Sequence, residues 1–229
     1  MNTKLIKLQN QITKCKKCSR LVKYLGEIKS KYPEYWCKPV PSFGDLNAKI
    51  LIIGLAPGRF GSNRTGRMFT GDSSGDFMYK ILHEVGLCNK PISKDINDGL
   101  LLTNCYITAV GRCAPPQNKP TPKELENCFL YFEEELKFFK TVKIIVALGK
   151  IAFDGYLKWL FKTGLQTSEK KYNKKDFKFF HGAIYNQPAL PHIFIASYHP
   201  SRQNTQTGKL TSKMFKEIFE KAKSLANSI

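Results

Sequence analysis

Four of the seven cysteines have a spacing that could bind a metal. Cys15 and Cys18 are separated by two residues, which lets both sulfurs face one ion. Cys113 lies just past a predicted strand, and Cys128 lies on the helix that is predicted to follow it. Four thiolates suit either a tetrahedral zinc or an iron–sulfur cluster, and their spacing does not choose between the two. The alternative is that the four thiols are unrelated.

A glycine-rich loop, residues 54–76, follows an apolar run that predicts a buried strand. The loop contains six glycines, and Asn63, Arg64, Arg67 and Asp72 lie among them. Glycine tolerates positive φ and lets backbone N–H groups approach a ligand, so a loop of this kind after a strand typically holds a ligand. The alternative is a long flexible connector.

Polar loops also follow three other predicted strands. Glycines, prolines, amides and His199 are concentrated in these loops, which are residues 111–120, 149–150 and 199–208. In open parallel sheets, ligands bind beyond the carboxyl ends of the strands. The loops therefore predict one binding site at a single edge of the sheet.

Strand and helix patterns alternate along the chain. Apolar, β-rich runs predict strands over residues 49–53, 103–110, 143–148 and 192–198. Helical spacing predicts helices over about 4–14, 72–86, 121–139, 150–162 and 208–226. This alternation favours an α/β fold with a parallel sheet covered by helices on both faces. No linker interrupts residues 1–229, which predicts a single domain, and the lysine-rich stretch at about 162–181 predicts an exposed loop or hairpin.

The charge balance indicates a polyanionic partner. Lysine and arginine number 37 against 18 aspartates and glutamates, a formal net charge of +19. Such a field draws nucleic acid first and anionic membranes second, unless the lysine excess is only compositional. No apolar run approaches the roughly 18 residues of a membrane span, and the N-terminus has no apolar signal region, so we expect a cytoplasmic protein. We also expect a monomer.

Three long motifs and the four cysteines resemble family 5 of the uracil-DNA glycosylase superfamily. The motifs are GLAPGRFGSNRTGRMFTGD, AVGRCAPPQNKPTP and YHPSRQNTQTGKLT. The resemblance implies a three-layer αβα sandwich on a four-stranded parallel sheet. It also implies a 4Fe–4S cluster on Cys15, Cys18, Cys113 and Cys128, with zinc less expected, which would tie the N-terminal segment 1–48 to the sheet. The implied activity is removal of uracil, and often of deaminated purines, from DNA.

The implied chemistry assigns roles to several loop residues. A base must leave the duplex before its glycosidic bond can be reached. Phe69 matches the phenylalanine that stacks on the extruded base, although it could instead belong to the core. His199 matches the histidine that stabilises negative charge on the leaving base. Asn63 and Asp72 are the polar candidates for positioning the attacking water. Asn63 is preferred, because Asp72 could equally cap the next helix.

Two positions depart from the wider superfamily. Ala56 stands where other families place an acidic or amide side chain, so this position cannot act as a general base. Ala109 stands where related families read the uracil edge with asparagine. Together with Gly58, these alanines predict a permissive base pocket and hence activity on hypoxanthine as well as uracil.

The expected partner is DNA that contains uracil or other deaminated bases. The residues expected to contact it, either at phosphates or in the gap left by the flipped base, are Arg64, Arg67, Lys150, Arg202, Gln203, Asn204 and Lys209. A rival interpretation is a cluster-stabilised DNA-binding module without catalysis. A zinc deaminase is disfavoured because the sequence lacks H-x-E and P-C-x-x-C patterns.

Overall fold

The computed structural model describes residues 3–164 and 172–228. Their strands form one mixed sheet of six, in the order β1-β3-β2-β4-β6-β5. The strands are β1 Phe43–Gly44, β2 Ile50–Gly54, β3 Cys105–Ala109, β4 Ile144–Leu148, β5 Ile184–Tyr185 and β6 Ile193–Ser197. The four central strands are buried along their whole length, as expected when both faces of a parallel sheet are covered.

The number of strands corrects the predicted sheet. The four predicted strands are present and run parallel to one another as β3, β2, β4 and β6. Two further strands flank them in antiparallel orientation, β1 against β3 and β5 against β6, so the sheet is mixed and not purely parallel. Each edge strand has only two residues, which is too short to show an alternating hydrophobic pattern.

Eight α-helices occur in the described ranges. They are α1 Thr3–Thr13, α2 Ser19–Lys31, α3 Ser62–Thr65, α4 Ser73–Glu84, α5 Pro122–Leu136, α6 Lys150–Lys162, α7 Arg202–Gln206 and α8 Ser212–Asn227. The predicted start of α5 is confirmed, because Thr121 and Glu124 form both bonds of a capping box with Pro122 at the first helical position.

The helices pack on both faces of the sheet within a single domain. On one face, α4 and α8 pack against alternate residues of the central strands such as Ile52 and Val146. On the other face, α1, α5 and α6 pack against the intervening residues such as Leu51 and Ile145. Each central strand therefore contributes alternate residues to the two hydrophobic cores, one on each face of the sheet. The loop at its carboxyl end begins from a strand that is packed on both faces.

The predicted insertion at 162–181 is only partly exposed. Residues 165–171 lie outside the described residues. In the remainder, Tyr172 and Phe177 are buried, and their ring centroids are 6.3 Å apart. Lys174 and Lys175 are exposed. The predicted exposed loop or hairpin thus has aromatic residues that join the core on the α6 side and lysines that are exposed.

A buried ion pair connects the end of β3 to α5. Arg112 Nη2 lies 2.5 Å from Glu135 Oε2, and both side chains are at most 2% exposed. Ser42 and Thr108 also bond this pair, and the Gln9 amide of α1 donates to Glu135 at 2.7 Å. The network therefore joins four segments of the chain through one carboxylate.

Glu135→Gln should destabilise the fold strongly, because it leaves the buried Arg112 charge uncompensated. Removing one member of such a pair typically costs about 3–5 kcal/mol. Urea unfolding of the variant and the wild type measures the difference. Glu134→Gln is the matched control, since the Glu134–Lys137 pair is exposed and should contribute less than about 1 kcal/mol. Equal stability of the two variants would contradict the prediction.

Candidate active site

The carboxyl ends of the four central strands lie side by side. Gly54 of β2 pairs with Ala109 of β3, and Leu148 of β4 pairs with Ser197 of β6. The glycine-rich loop, the 111–120 loop, Gly149 and His199 therefore follow neighbouring strands at one edge. The predicted convergence of these loops is confirmed.

Phe69 is held rigidly above the end of β2. Its φ of +52° is in the left-handed region, which non-glycine residues seldom adopt. Its backbone N–H donates to Ser62 Oγ at 2.9 Å, and its ring packs so close to Gly54 that a Cβ there would lie 2.9 Å from Cε2. The ring is 9% exposed and belongs to the core cluster. A strained residue kept in place by its surroundings is typical of functional loops.

His199 faces Phe69 from the end of β6. The two ring centroids are 5.8 Å apart with an interplanar angle of 29°. Gly149 has a φ of +92°, and a Cβ at this position would lie only 3.3 Å from His199 Cβ. Burial lowers the pKa of His199 to about 4, so the imidazole is neutral at pH 7.

Asn204 bonds the backbone of His199, and His181 bonds the backbone of the preceding residue, Tyr198. The Asn204 amide donates to the His199 carbonyl at 2.8 Å, so this side chain, predicted to contact DNA, is already bonded to the protein. The Tyr198 backbone N–H donates to His181 Nδ1 at 3.2 Å, which places the proton of a neutral His181 on Nε2. His181 was not singled out from the sequence, because a lone histidine within the 162–181 stretch gives no signal of its position.

Asp72 caps α4, which confirms one of its two predicted roles. Its Oδ1 accepts from the backbone N–H groups of Ser74 at 3.1 Å and Gly75 at 3.0 Å. Its Oδ2 faces the loop, because a Cβ added to Gly58 or Gly61 would lie 2.8 Å or 1.9 Å from it. Burial raises the pKa of Asp72. One carboxylate oxygen thus bonds the helix, while the other contacts the glycine-rich loop.

Asn63 lies inside the loop instead of on its surface. The residue is 0% exposed, and its Nδ2 is 3.6 Å from Cys37 Sγ and 3.3 Å from the Arg59 carbonyl. Its Oδ1 is buried and accepts no hydrogen bond from the residues in the structure's described ranges. In this structure Asn63 supports the loop from within, and its role in positioning water stays a prediction.

Arg67 is the clearest correction among the predicted DNA contacts. Its side chain is 5% exposed and forms a bidentate ion pair with Asp98, at 2.9 Å and 2.5 Å. Its remaining donors bond Thr70 and Ser93. Because this charge is buried and neutralised inside the protein, Arg67 is not available to a phosphate.

The other residues predicted to contact DNA differ in their exposure and in whether they already bond to the protein. Arg202, Gln203 and Lys209 are exposed at the loop that follows His199. Lys150 is exposed but pairs with Asp154 at 2.5 Å. Arg64 donates to the carbonyls of Phe60 and Gly71, at 2.8 Å and 2.7 Å, and so braces the glycine-rich loop.

The three small residues predicted to line the base pocket differ in how deeply they are buried. Ala56 and Gly58 are half-buried in the glycine-rich loop, and a Cβ on Gly111 would lie 3.2 Å from the Ala56 methyl group. Ala109 is 1% exposed and belongs to the core cluster at the end of β3. Ala109 therefore lies in the core at the end of β3, and its contact with a base stays a prediction.

The four predicted metal ligands line one cavity beside β3 and α5. Cys15, Cys18, Cys113 and Cys128 all contribute to its wall, together with Val22, Pro39, Arg112, Asn127 and Tyr131. The Asn127 amide donates to Cys18 Sγ at 3.4 Å. Burial, and then the nearby sulfurs of the other three cysteines, raise the pKa of Cys113 well above its ordinary value. Within the described parts of the chain, no three His, Cys, Asp or Glu side chains have the arrangement that a single metal ion needs.

The family model and the similar proteins that match this chain are all uracil-DNA glycosylases. The family model described as "Uracil DNA glycosylase superfamily" matches residues 41–223. A type-5 uracil-DNA glycosylase of Thermus thermophilus is 49% identical over 220 residues, which cover 94% of this chain and 95% of that protein. Proteins of the same name from Pyrobaculum aerophilum and Mycobacterium leprae are 41% and 42% identical, covering 93% and 96% of this chain and 89% and 94% of theirs. Among the described residues, no helix is long and apolar enough to cross a membrane.

The neutral His199 should make stability depend on pH. The unfolded histidine binds a proton below about pH 6.5, whereas the folded one resists it until about pH 4. Stability should therefore fall as the pH drops from 6.5 to 4, by up to roughly 1.4 kcal/mol per pH unit for this group. His199→Gln should reduce that dependence in denaturant titrations at several pH values, and the remainder should include His192, whose pKa burial also lowers to about 4. His83→Gln, a substitution at an exposed histidine outside this site, is the control, and identical slopes in both variants would contradict the prediction.

Proposed function

We infer that this chain, which belongs to the uracil DNA glycosylase superfamily, is a monofunctional glycosylase that removes uracil from DNA in base-excision repair. The observation that carries the inference is the neutral His199 imidazole beside Phe69, at the edge where the four parallel strands end. This arrangement supplies an aromatic surface and a hydrogen-bond donor in one place. Cleavage of a bond between a base and its sugar needs both.

Phe69 and His199 act on the flipped base. The base leaves the duplex at a cost of a few kcal/mol, and stacking on an aromatic ring recovers about 1–3 kcal/mol. As the glycosidic bond breaks, negative charge develops on the base oxygen. A preorganised donor aimed at this oxygen supplies much of the rate acceleration. His199 is suited to this role because its backbone is fixed by Asn204 and its ring is already neutral.

Asp72 orients the attacking water. Its Oδ2 is not used by the helix cap and faces the Gly58–Gly61 turn. Its raised pKa, caused first by burial, moves the carboxylate toward the range of a general base. Asn63 is the less suitable of the two predicted groups because it has no exposed surface.

The base pocket is permissive and accepts hypoxanthine as well as uracil. Ala56 contributes only a methyl group to the loop, and Ala109 lies in the core, so neither forms paired hydrogen bonds with a base edge. Selection then depends on shape, stacking and backbone contacts. Such contacts do not distinguish uracil from hypoxanthine as strongly as a polar side chain would.

The loop after His199 contacts the DNA. Arg202 and Gln203 are exposed on α7 and fill the space that the flipped base leaves, while Lys209 contacts a phosphate. Arg64 and Lys150 add positive charge near the other loops. The formal net charge of +19 supports a DNA partner, because neutralised phosphates release counterions and favour binding.

The four cysteines hold a 4Fe–4S cluster. Their fit is supported by the single cavity that all four cysteines line, in which burial and then the other three sulfurs raise the pKa of Cys113. Four thiolates suit zinc as well, and the cluster is preferred to zinc on the family resemblance of the four cysteine positions. The cluster is structural: bound thiolates join the segment before α2 to β3 and α5.

His199→Ala should abolish excision and retain DNA binding. Loss of the donor should lower the rate by about 100-fold or more. The measurement uses labelled duplexes that carry one uracil or one hypoxanthine, with binding to an undamaged duplex measured in parallel. His83→Ala is the control, since this exposed histidine is on the side of α4 facing solvent. Binding without excision by the wild type would favour a non-catalytic DNA-binding module, and strict action on uracil would refute the permissive pocket.

Cys113→Ser should remove the cluster. The wild type should contain about four irons per chain with visible brown absorption, and the variant should lose both and unfold at lower urea. Cys88→Ser is the matched control, because Cys88 is buried elsewhere, with its Sγ 3.1 Å from the Lys90 carbonyl. Zinc in place of iron, or equal iron in both variants, would contradict the assignment.

A further inference from the structure

An exposed aromatic ring lies on the glycine-rich loop, outside the base pocket. Phe60 is 52% exposed and belongs to none of the hydrophobic clusters formed by the described residues. Its ring instead contacts Tyr32, with centroids 6.2 Å apart and planes at 87°. Tyr32 in turn stacks on Tyr35 at 4.6 Å. We call Phe60, Tyr32, Tyr35 and the neighbouring Tyr24 the aromatic patch.

The aromatic patch carries unneutralised positive charge. The Arg59 guanidinium lies 4.8 Å from the centroid of Phe60 and 6.0 Å from that of Tyr24. Arg59 forms no ion pair with any residue that the structure describes, and its buried Nε has no hydrogen-bond partner there. Lys29 adds a second cation, donating to the Tyr35 carbonyl at 2.5 Å. Glu34 is the acidic residue between the two tyrosines in sequence, and it is exposed.

The loop presents Phe60 on a fixed backbone. The Phe60 carbonyl accepts from Arg64 Nε at 2.8 Å, and the same guanidinium bonds the Gly71 carbonyl at 2.7 Å. The Gly61 N–H donates to the Gly58 carbonyl at 3.3 Å, which closes a tight turn around Arg59 and Phe60. A ring held in this way loses little conformational freedom when it meets a planar ligand.

We propose that the aromatic patch binds an unpaired base of the DNA strand outside the base pocket, with the base stacked on Phe60 and Arg59 contacting the adjacent phosphate. Phe60 is the exposed ring of the patch, and the three tyrosines that support it are half-buried. An exposed ring beside a cation is a recognised means of binding single-stranded nucleic acid. A protein partner or a second copy of this chain, which shares its net charge of +19, is a poorer match for a cationic surface. The proposal rests on DNA being the substrate and adds a binding site on a different surface of the same loop.

The test measures affinity for a single-stranded oligonucleotide without uracil, by fluorescence anisotropy. Phe60→Ala should weaken this binding about 5- to 150-fold, the equivalent of one lost stacked base at about 1–3 kcal/mol. Phe60→Leu keeps the apolar bulk without the ring and should also weaken binding, whereas Phe60→Trp should retain it. Ile92→Ala is the control, since Ile92 is similarly exposed, at 55%, and carries no ring.

Two results would overturn the proposal. One is wild-type affinity for the single strand in both Phe60→Ala and Phe60→Leu. The other is loss of self-association at high protein concentration in these variants, with unchanged DNA affinity, which would assign the patch to a second copy of the chain. Because the oligonucleotide contains no uracil, ring-dependent binding by a protein that fails to excise uracil would count against the proposed function alone.

Discussion

The buried pair of Arg112 and Glu135 fixes the arrangement on which the cysteine cavity depends. Arg112 ends the turn after β3, and its backbone carbonyl accepts from the Val40 N–H at 2.7 Å. Cys113 is the next residue, and Cys128 lies on the helix that carries Glu135. Two charges removed from water contribute little net stability, but they are costly to separate. The pair therefore sets where α5 lies relative to β3, and so brings two of the four cysteines to one cavity.

Much of the fold could be predicted because its signals are local. Continuous apolar runs identified the central strands, and a capping box identified the start of α5. The convergence of the four loops at one edge of the sheet could be predicted because the carboxyl ends of parallel strands lie at the same edge. The edge strands β1 and β5 could not be predicted in this way, because two residues carry no periodicity and their pairing is set by the tertiary structure.

The roles of individual charged and polar residues were harder to predict. Arg67 and Arg202 look alike in sequence, but Arg67 is buried against Asp98, which lies 31 residues away. Asn204 looks like a DNA contact, but its amide bonds the carbonyl five residues before it. In each case the deciding partner is chosen by the folded chain, so composition and spacing alone could not separate a structural side chain from one that contacts a ligand.

The contacts that anchor the glycine-rich loop place one of its aromatic rings, Phe69, in the core and the other, Phe60, in solvent. Asp72 binds the start of α4 with one oxygen and lies against Gly58 and Gly61 with the other, so the turn between them has no freedom to fold inward. Phe69, near one end, is drawn into the core beside His199, while Phe60, at the turn, stays in solvent beside Arg59. Because Asp72 and Arg64 brace the same backbone, the two rings have fixed positions relative to each other. If the proposed function holds, a loop with one ring beside His199 and another in solvent beside Arg59 suits a substrate whose reacting base is flipped out of the strand and whose neighbouring bases are not.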